Sequence, residues 1–214
     1  MGDTRASEFF HGYAHDFDAI YGGREHMLNR AVNRYLRKSM RLRYEKTLAG
    51  CQPIEGRTVL DIGCGPGHYA VALAEMGAAR VVGLDFADEM VRIAEARARE
   101  TGVLDRCTFL KGDFLTHPLD GPYDYAIAMG FMDYIEDPRK VIDRAISLVK
   151  SRVFFSFPAE GGFLAWQRKV RYQSRCPLYL YSHQRIEGLF EHLPGTAKVS
   201  IEPIARDYFV TVQL

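Results

Sequence analysis

VLDIGCGPGHYAVALA, residues 59–74, runs an apolar segment into a glycine-rich turn and then into a helical pattern. The apolar segment closes on Asp61, the turn carries Gly63, Gly65 and Gly67, and the helix opens directly afterwards. A buried strand feeding a helix through glycines begins a βαβ unit, and in open α/β sheets ligands sit at the carboxyl ends of such strands. Glycines there let a ligand approach the backbone closely. The dinucleotide fingerprint GxGxxG needs glycine at position 68, where this chain has His68, and the turn reads GxGxG instead. That disfavours pyrophosphate and a nucleotide-dependent oxidoreductase. No GK[ST] follows the glycines, so a Walker phosphate loop is also absent.

Outward from this stretch, short apolar or β-branched runs alternate with longer helical patterns. The runs are TVLDI, RVVGLD, CTFL, YAIAM and RVFFSF. Helical periodicity covers 67–76 and 88–100, and over 137–149 it places Val141, Ile142, Ala145, Ile146 and Val149 on one face. Residues 182–193 read as one more helix with Ser182 as N-cap, and KVSIEPI and DYFVTVQL as a terminal antiparallel pair. Before Thr58, residues 25–48 are helical, with Leu28, Val32, Tyr35, Leu36 and Met40 along one side and basic residues on the rest. The expected fold is α/β: a doubly wound, mostly parallel Rossmann-like sheet with a terminal antiparallel strand pair and an N-terminal helical extension. It is read as one domain over 1–214, with an extension and lid over 1–54, a cofactor-binding core over 55–158, and an acceptor-facing segment with the terminal strands over 159–214.

Strand ends supply further anchors. Asp85 closes the second run, 24 residues after Asp61, where a carboxylate accepts both hydroxyls of an unphosphorylated ribose. Asp113, in LKGDF, lies where a carboxylate accepts from an adenine amino group, and Phe86, Met90 or Phe114 would pack on the adenine faces. Any one of these is ordinary turn chemistry; their order and spacing point to one adenosine.

VLDIGCGPG, VVGLDFADEM, FLKGDF and PYDYAIAMGFMDYIED are similar, in sequence order, to the successive motifs of class I S-adenosylmethionine-dependent methyltransferases, over roughly residues 55–158. The resemblance implies S-adenosylmethionine as cofactor, with Asp61, Gly63, Cys64, Gly65 and Gly67 around its amino-acid and sulfonium part. It also implies Asp85 at the ribose, Asp113 and Phe114 at the adenine, and Met129 beside the methionine moiety. The segment YAHDFDAIYGG resembles the lid of small-molecule members, in which Tyr13 and Tyr21 would close over the cofactor. Asp133 and Tyr134, just past the fourth run and Gly130, are the first candidates for orienting or deprotonating an acceptor; the competing role is to cap the helix that follows.

The acceptor is a small molecule in this reading. Residues 157–183 join Trp166, Tyr172, Tyr179 and Tyr181 to Arg168, Lys169, Arg171 and Arg175, a surface suited to a flat or apolar acceptor with an anionic group. Trp166, Arg168, Arg171, Tyr172 and Arg175 are its candidate contacts, and a basic solvated face over an aromatic core is the structural alternative. The order SFP, basic amphipathic segment, CPLYLYSH resembles the corresponding region of magnesium-protoporphyrin O-methyltransferases.

Composition narrows the rest. The 214 residues are 47% hydrophobic with a formal net charge of +1, and no stretch reaches the ~18 apolar residues of a membrane span. The start lacks a basic-then-apolar signal pattern, which reads as cytoplasmic. Cys51, Cys64, Cys107 and Cys176 fall at irregular spacings and read as reduced thiols. His11 and His15 stand four apart without a third ligand, so no metal is assigned. Charge is local: residues 24–46 hold eight Lys or Arg against two Glu. Balanced overall charge and MGFM in place of [ND]PP[YF] after the fourth run argue against a nucleic-acid acceptor. The alternative function is a noncatalytic cofactor-binding or membrane-surface partner protein of the same fold, using the basic helix. Nothing in the sequence fixes an oligomeric state.

Overall fold

The computed structural model describes residues 30–161 and 178–214. In chain order the elements are α1 (Arg30–Gly50), β1 (Thr58–Ile62), α2 (His68–Glu75), β2 (Arg80–Asp85), α3 (Asp88–Glu100), β3 (Cys107–Lys111) and β4 (Tyr123–Ala128). After a 3₁₀ turn over Met132–Tyr134 come α4 (Pro138–Ser147), β5 (Val149–Pro158), α5 (His183–Phe190), β6 (Lys198–Ile204) and β7 (Asp207–Gln213). The seven strands lie in the order β3-β2-β1-β4-β5-β7-β6. β1 to β5 pair in parallel, and β7 runs antiparallel between β5 and β6.

The alternation of side chains along each strand explains why both faces need helices. Val59, Val81, Phe109, Tyr125, Ile127, Phe154 and Phe209 point into one core with residues of α2 and α3, against which Leu42 and Leu48 of α1 also pack. Leu60, Ile62, Val82, Leu84, Ala126, Val153, Phe155 and Val210 point into a second core with Val141, Ile142 and Ala145 of α4 and Ile186 and Phe190 of α5. The sheet is thus doubly wound, with the expected terminal antiparallel pair. Its chain order reverses between β1 and β4, and the crevice outside their carboxyl ends is where such sheets bind ligands.

Element bounds differ from the sequence reading where two periods compete. Val149 fits the apolar face of the preceding helix, yet α4 ends at Ser147 and Val149 opens β5, paired with Tyr123. β4 accordingly begins at Tyr123, not Tyr125. Ser182 does cap α5, accepting from the Arg185 N–H at 3.1 Å. Helix α1 is tied to the far end of the chain. The Ser39 hydroxyl donates to the Asp207 carboxylate. The Arg43 guanidinium lies 3.9 Å from the same Asp207 oxygen and donates to Ser156 Oγ at 3.3 Å. No helix among the described residues is long and apolar enough to cross a membrane.

Candidate functional site

The three glycines of the turn after β1 all hold left-handed backbone, at φ +68° (Gly63), +51° (Gly65) and +76° (Gly67), but for different reasons. A Cβ on Gly63 would come within 2.4 Å of the Phe131 ring, and one on Gly67 within 2.8 Å of the Ala94 methyl. These two are glycines because the protein packs against them. A Cβ on Gly65 would meet nothing within 4 Å, so the middle of the turn presents bare backbone to open space. That is what a turn shaped for a ligand requires.

The turn is locked to β2. Gly63 and Cys64 N–H donate to the Leu84 carbonyl at 2.8 and 3.1 Å. The Asp85 carboxylate accepts from the Gly65 N–H and the Ala87 N–H, both at 2.9 Å, while its own carbonyl accepts from the Gly112 N–H at 2.9 Å. Asp85 thereby joins the turns after β1, β2 and β3. It is 8% exposed, and burial raises its pKa above the ordinary carboxylate range against the pull of those amides.

Asp61 shares a sheet face with Asp85, since Asp61 pairs with Gly83, two residues short of it. It is 1% exposed; the Ala70 backbone N–H serves its carboxyl, and Oδ2 has no hydrogen-bond partner among the described residues. Burial first and the Asp85 charge second push its pKa up to about 8. A buried carboxyl with an unused acceptor costs stability unless something else meets it, and a cationic or N–H-bearing ligand group would. The Cys64 side chain turns inward, 5% exposed, and burial holds its thiol far above its usual range. Only its backbone belongs to the turn's surface.

Met129, two residues past Ile127, continues the same face and packs partly buried against the α2–α3 core. Asp113 makes a tight turn, its Oδ1 accepting from the Leu115 N–H at 2.8 Å. Of the three side chains expected at an adenine, Phe86 is partly exposed, whereas Met90 is 2% and Phe114 3% exposed. Phe114 stands edge-on to Phe131, with ring centroids 6.4 Å apart. Asp133 and Tyr134 lie in the 3₁₀ turn, not at the N-terminus of α4, where the Asp137 side chain forms no cap hydrogen bond. Asp133 is 3% exposed, and its carbonyl accepts from the Tyr179 N–H at 2.8 Å. Tyr181, whose hydroxyl donates to the Met132 and Ile135 carbonyls at 3.3 and 3.4 Å, braces the same turn from below.

Tyr13, Tyr21, Trp166, Arg168, Arg171, Tyr172 and Arg175 lie outside the described residues. One feature escapes the sequence reading. Ser156, on β5, accepts from the Gly130 N–H at 2.7 Å and from Arg43, so a buried hydroxyl fixes the backbone just past β4. A lone serine within the apolar run RVFFSFP is its sequence signal.

This edge carries an open glycine turn, a carboxylate tying three turns and a buried acid with one unpartnered oxygen on one sheet face, the features the sequence leads one to expect of a class I S-adenosylmethionine-dependent methyltransferase. Residues 54–164, more than half of the chain, match the model of the methyltransferase-domain family, and the chain belongs to that family. Curated relatives include the ubiquinone biosynthesis O-methyltransferases of Bordetella avium, 35% identical over 119 residues, and Shewanella halifaxensis, 37% identical over 121. These alignments cover 55% of this chain and 48% and 49% of the relatives, so the chain spans about half the length of the curated relatives it matches. Among solved structures, magnesium protoporphyrin IX methyltransferase from Synechocystis PCC 6803, with bound SAH, superposes with a TM-score of 0.78 at 22% identity, covering 98% of both chains. That likeness is one of fold.

Proposed function

We propose that the protein transfers the methyl group of S-adenosylmethionine to an oxygen of a small, flat or apolar acceptor that carries an anionic group. The observation that carries the reading is the Gly65 turn: bare backbone facing open space, its N–H held by Asp85, beside an Asp61 oxygen without a partner. Kinship with O-methyltransferases of ubiquinone biosynthesis favours oxygen, and the fold shared with a magnesium protoporphyrin IX methyltransferase suits a flat acceptor.

In this reading Asp61, Gly63, Cys64, Gly65 and Gly67 surround the amino-acid and sulfonium part, Asp61 offering its unpartnered oxygen and the turn offering backbone. Asp85 accepts the ribose hydroxyls on lone pairs its two amide bonds leave over. Asp113 accepts from the adenine amino group, with Phe86, Met90 and Phe114 shaping the adenine face. Met129 lines the methionine side. When bound, the cofactor supplies a methyl group already activated on sulfur, so the protein's task is to orient the acceptor and exclude water. Asp133 and Tyr134 orient or deprotonate it. Tyr13 and Tyr21 close from the N-terminal segment, and Trp166, Arg168, Arg171, Tyr172 and Arg175 receive its flat and anionic parts. Residues 1–54 then act as extension and lid, 55–158 as cofactor core, and 159–214 as acceptor side and terminal strands.

The test is a screen of flat carboxylate- and phenol-bearing compounds with methyl-labelled cofactor, read by mass. The expected product carries one added methyl on oxygen; Arg168→Ala, Arg171→Ala and Arg175→Ala impair its formation while cofactor affinity stays. Methylation of none of these compounds by a protein that binds the cofactor contradicts the proposed acceptor class.

A further inference from the structure

We infer that Arg144, on the opposite sheet face from Asp61 and Asp85, is a positioning residue for adenine recognition, holding the loop over 113–117 in the shape that aims Asp113. This rests on the assignment of Asp113 to the adenine amino group. Arg144 donates from Nη1 to the Leu115 carbonyl at 3.1 Å and from Nη2 to the His117 carbonyl at 2.6 Å. Its guanidinium carbon sits 5.5 Å from the centroid of the buried Phe114 ring. One planar fork thus grips three of the five loop residues.

Inside the loop the same residues answer to Asp113. Its Oδ1 accepts from the Leu115 N–H at 2.8 Å, and its carbonyl accepts from the Thr116 and His117 N–H groups at 3.1 and 2.8 Å. Leu115 is therefore held on its carbonyl side by Arg144 and on its N–H side by the carboxylate that would read the base. The His117 ring closes the other flank, lying so near Gly112 that a Cβ there would come within 2.4 Å of Nδ1. Loss of the fork frees two carbonyls and is transmitted to the Asp113 carboxylate through a single residue. A lysine would keep the cation over Phe114 but not the planar pair of donors that spans both carbonyls.

A residue that only stabilised the fold would weaken every ligand alike; one that aims a base-reading carboxylate changes the choice between bases. The experiment compares S-adenosylhomocysteine with S-inosylhomocysteine, in which a carbonyl oxygen replaces the amino donor. Calorimetry is run on the wild-type protein, Arg144→Met and Arg144→Lys, with amide hydrogen exchange at Leu115, Thr116 and His117 and thermal melting in parallel. The wild-type protein is expected to prefer the adenosyl ligand by about tenfold or more, the scale of one charge-assisted hydrogen bond. Arg144→Met brings that ratio close to one and speeds exchange at the three amides, and Arg144→Lys falls between. An unchanged ratio overturns the inference whatever the exchange, as does an equal loss for both ligands that tracks a lowered melting temperature. If the wild-type protein does not discriminate, the Asp113 assignment fails; unchanged exchange in Arg144→Met would show that Arg144 does not hold the loop either.

Discussion

Across the β1–β2–β3 half of the carboxyl edge, the carboxylates of Asp85 and Asp113 accept from backbone amides of that half, with Arg144 of α4 the side chain that reaches in to the 113–117 turn. Gly65 and Ala87 bond to Asp85, 20 and two residues away in sequence, and Leu115 bonds to Asp113. Across the β4–β5–β7 half, the ties come from distant chain. Arg43 reaches Ser156 over 113 residues, and Ser39 reaches Asp207 over 168. The carboxylate–amide bonds of the first half lie within one βαβαβ segment, whereas the ties of the second need the N-terminal helix and the last strand to be in place. Cofactor binding and acceptor binding are accordingly expected to fail under different substitutions.

The largest effect expected is on stability at Gly67. Alanine there places a Cβ against Ala94 at φ +76° and should cost about 2–5 kcal/mol, the sum of left-handed strain and overpacking. Gly65→Ala, in open space, should cost only the backbone strain of about 1–2 kcal/mol yet weaken binding of S-adenosylhomocysteine. Urea unfolding and ligand titration of both variants separate these effects; equal destabilisation would erase the distinction drawn between the two glycines.

Asp207→Ala tests the other half. Removing a 3%-exposed carboxylate from Ser39 and Arg43 should cost about 2–3 kcal/mol and expose α1 to proteolysis, with cofactor affinity changed less than stability. If limited proteolysis cuts α1 no faster than in the wild type, the helix is docked by its apolar face alone.

A smaller, pH-dependent effect belongs to Asp61. Its folded pKa of about 8 lies above the ordinary carboxylate range, so between that range and pH 8 the folded chain keeps a proton that the unfolded chain releases. Stability should therefore fall as pH rises through this window, and Asp61→Asn should flatten the slope. A ligand offering positive charge to Asp61 favours its ionised form, so binding near pH 7 should release a proton. Calorimetry in two buffers of different ionisation heat measures it, and identical heats would remove Asp61 from ligand contact.

The same contrast explains what the sequence reveals. β1, β2, α3 and β6 fall on the residues expected of them because each is an apolar or amphipathic run bounded by turn residues. Asp61, Gly65 and Asp85 stand out in the sequence because the strand ends and turn they occupy lie within one short segment. The helical periodicity claims Val149 wrongly because a valine satisfies both the helical face before it and the strand it opens. Arg43 was hidden among the basic residues of its helix, since only docking of α1 beside Ser156 and Asp207 distinguishes it from the solvated Arg41. The burial of Phe114 follows from long-range contact with Phe131 and Arg144, which no local pattern encodes.

Whether S-adenosylmethionine sits on the turn after β1 that Asp85 holds is decided by calorimetric titration of S-adenosylhomocysteine into the wild-type protein and Asp85→Ala. One site per chain is expected in the wild type, with affinity weakened by about 1.5–3 kcal/mol in the variant, the scale of hydrogen bonds to a charged group. Absence of binding to the wild-type protein, or unchanged affinity in Asp85→Ala, would contradict that placement.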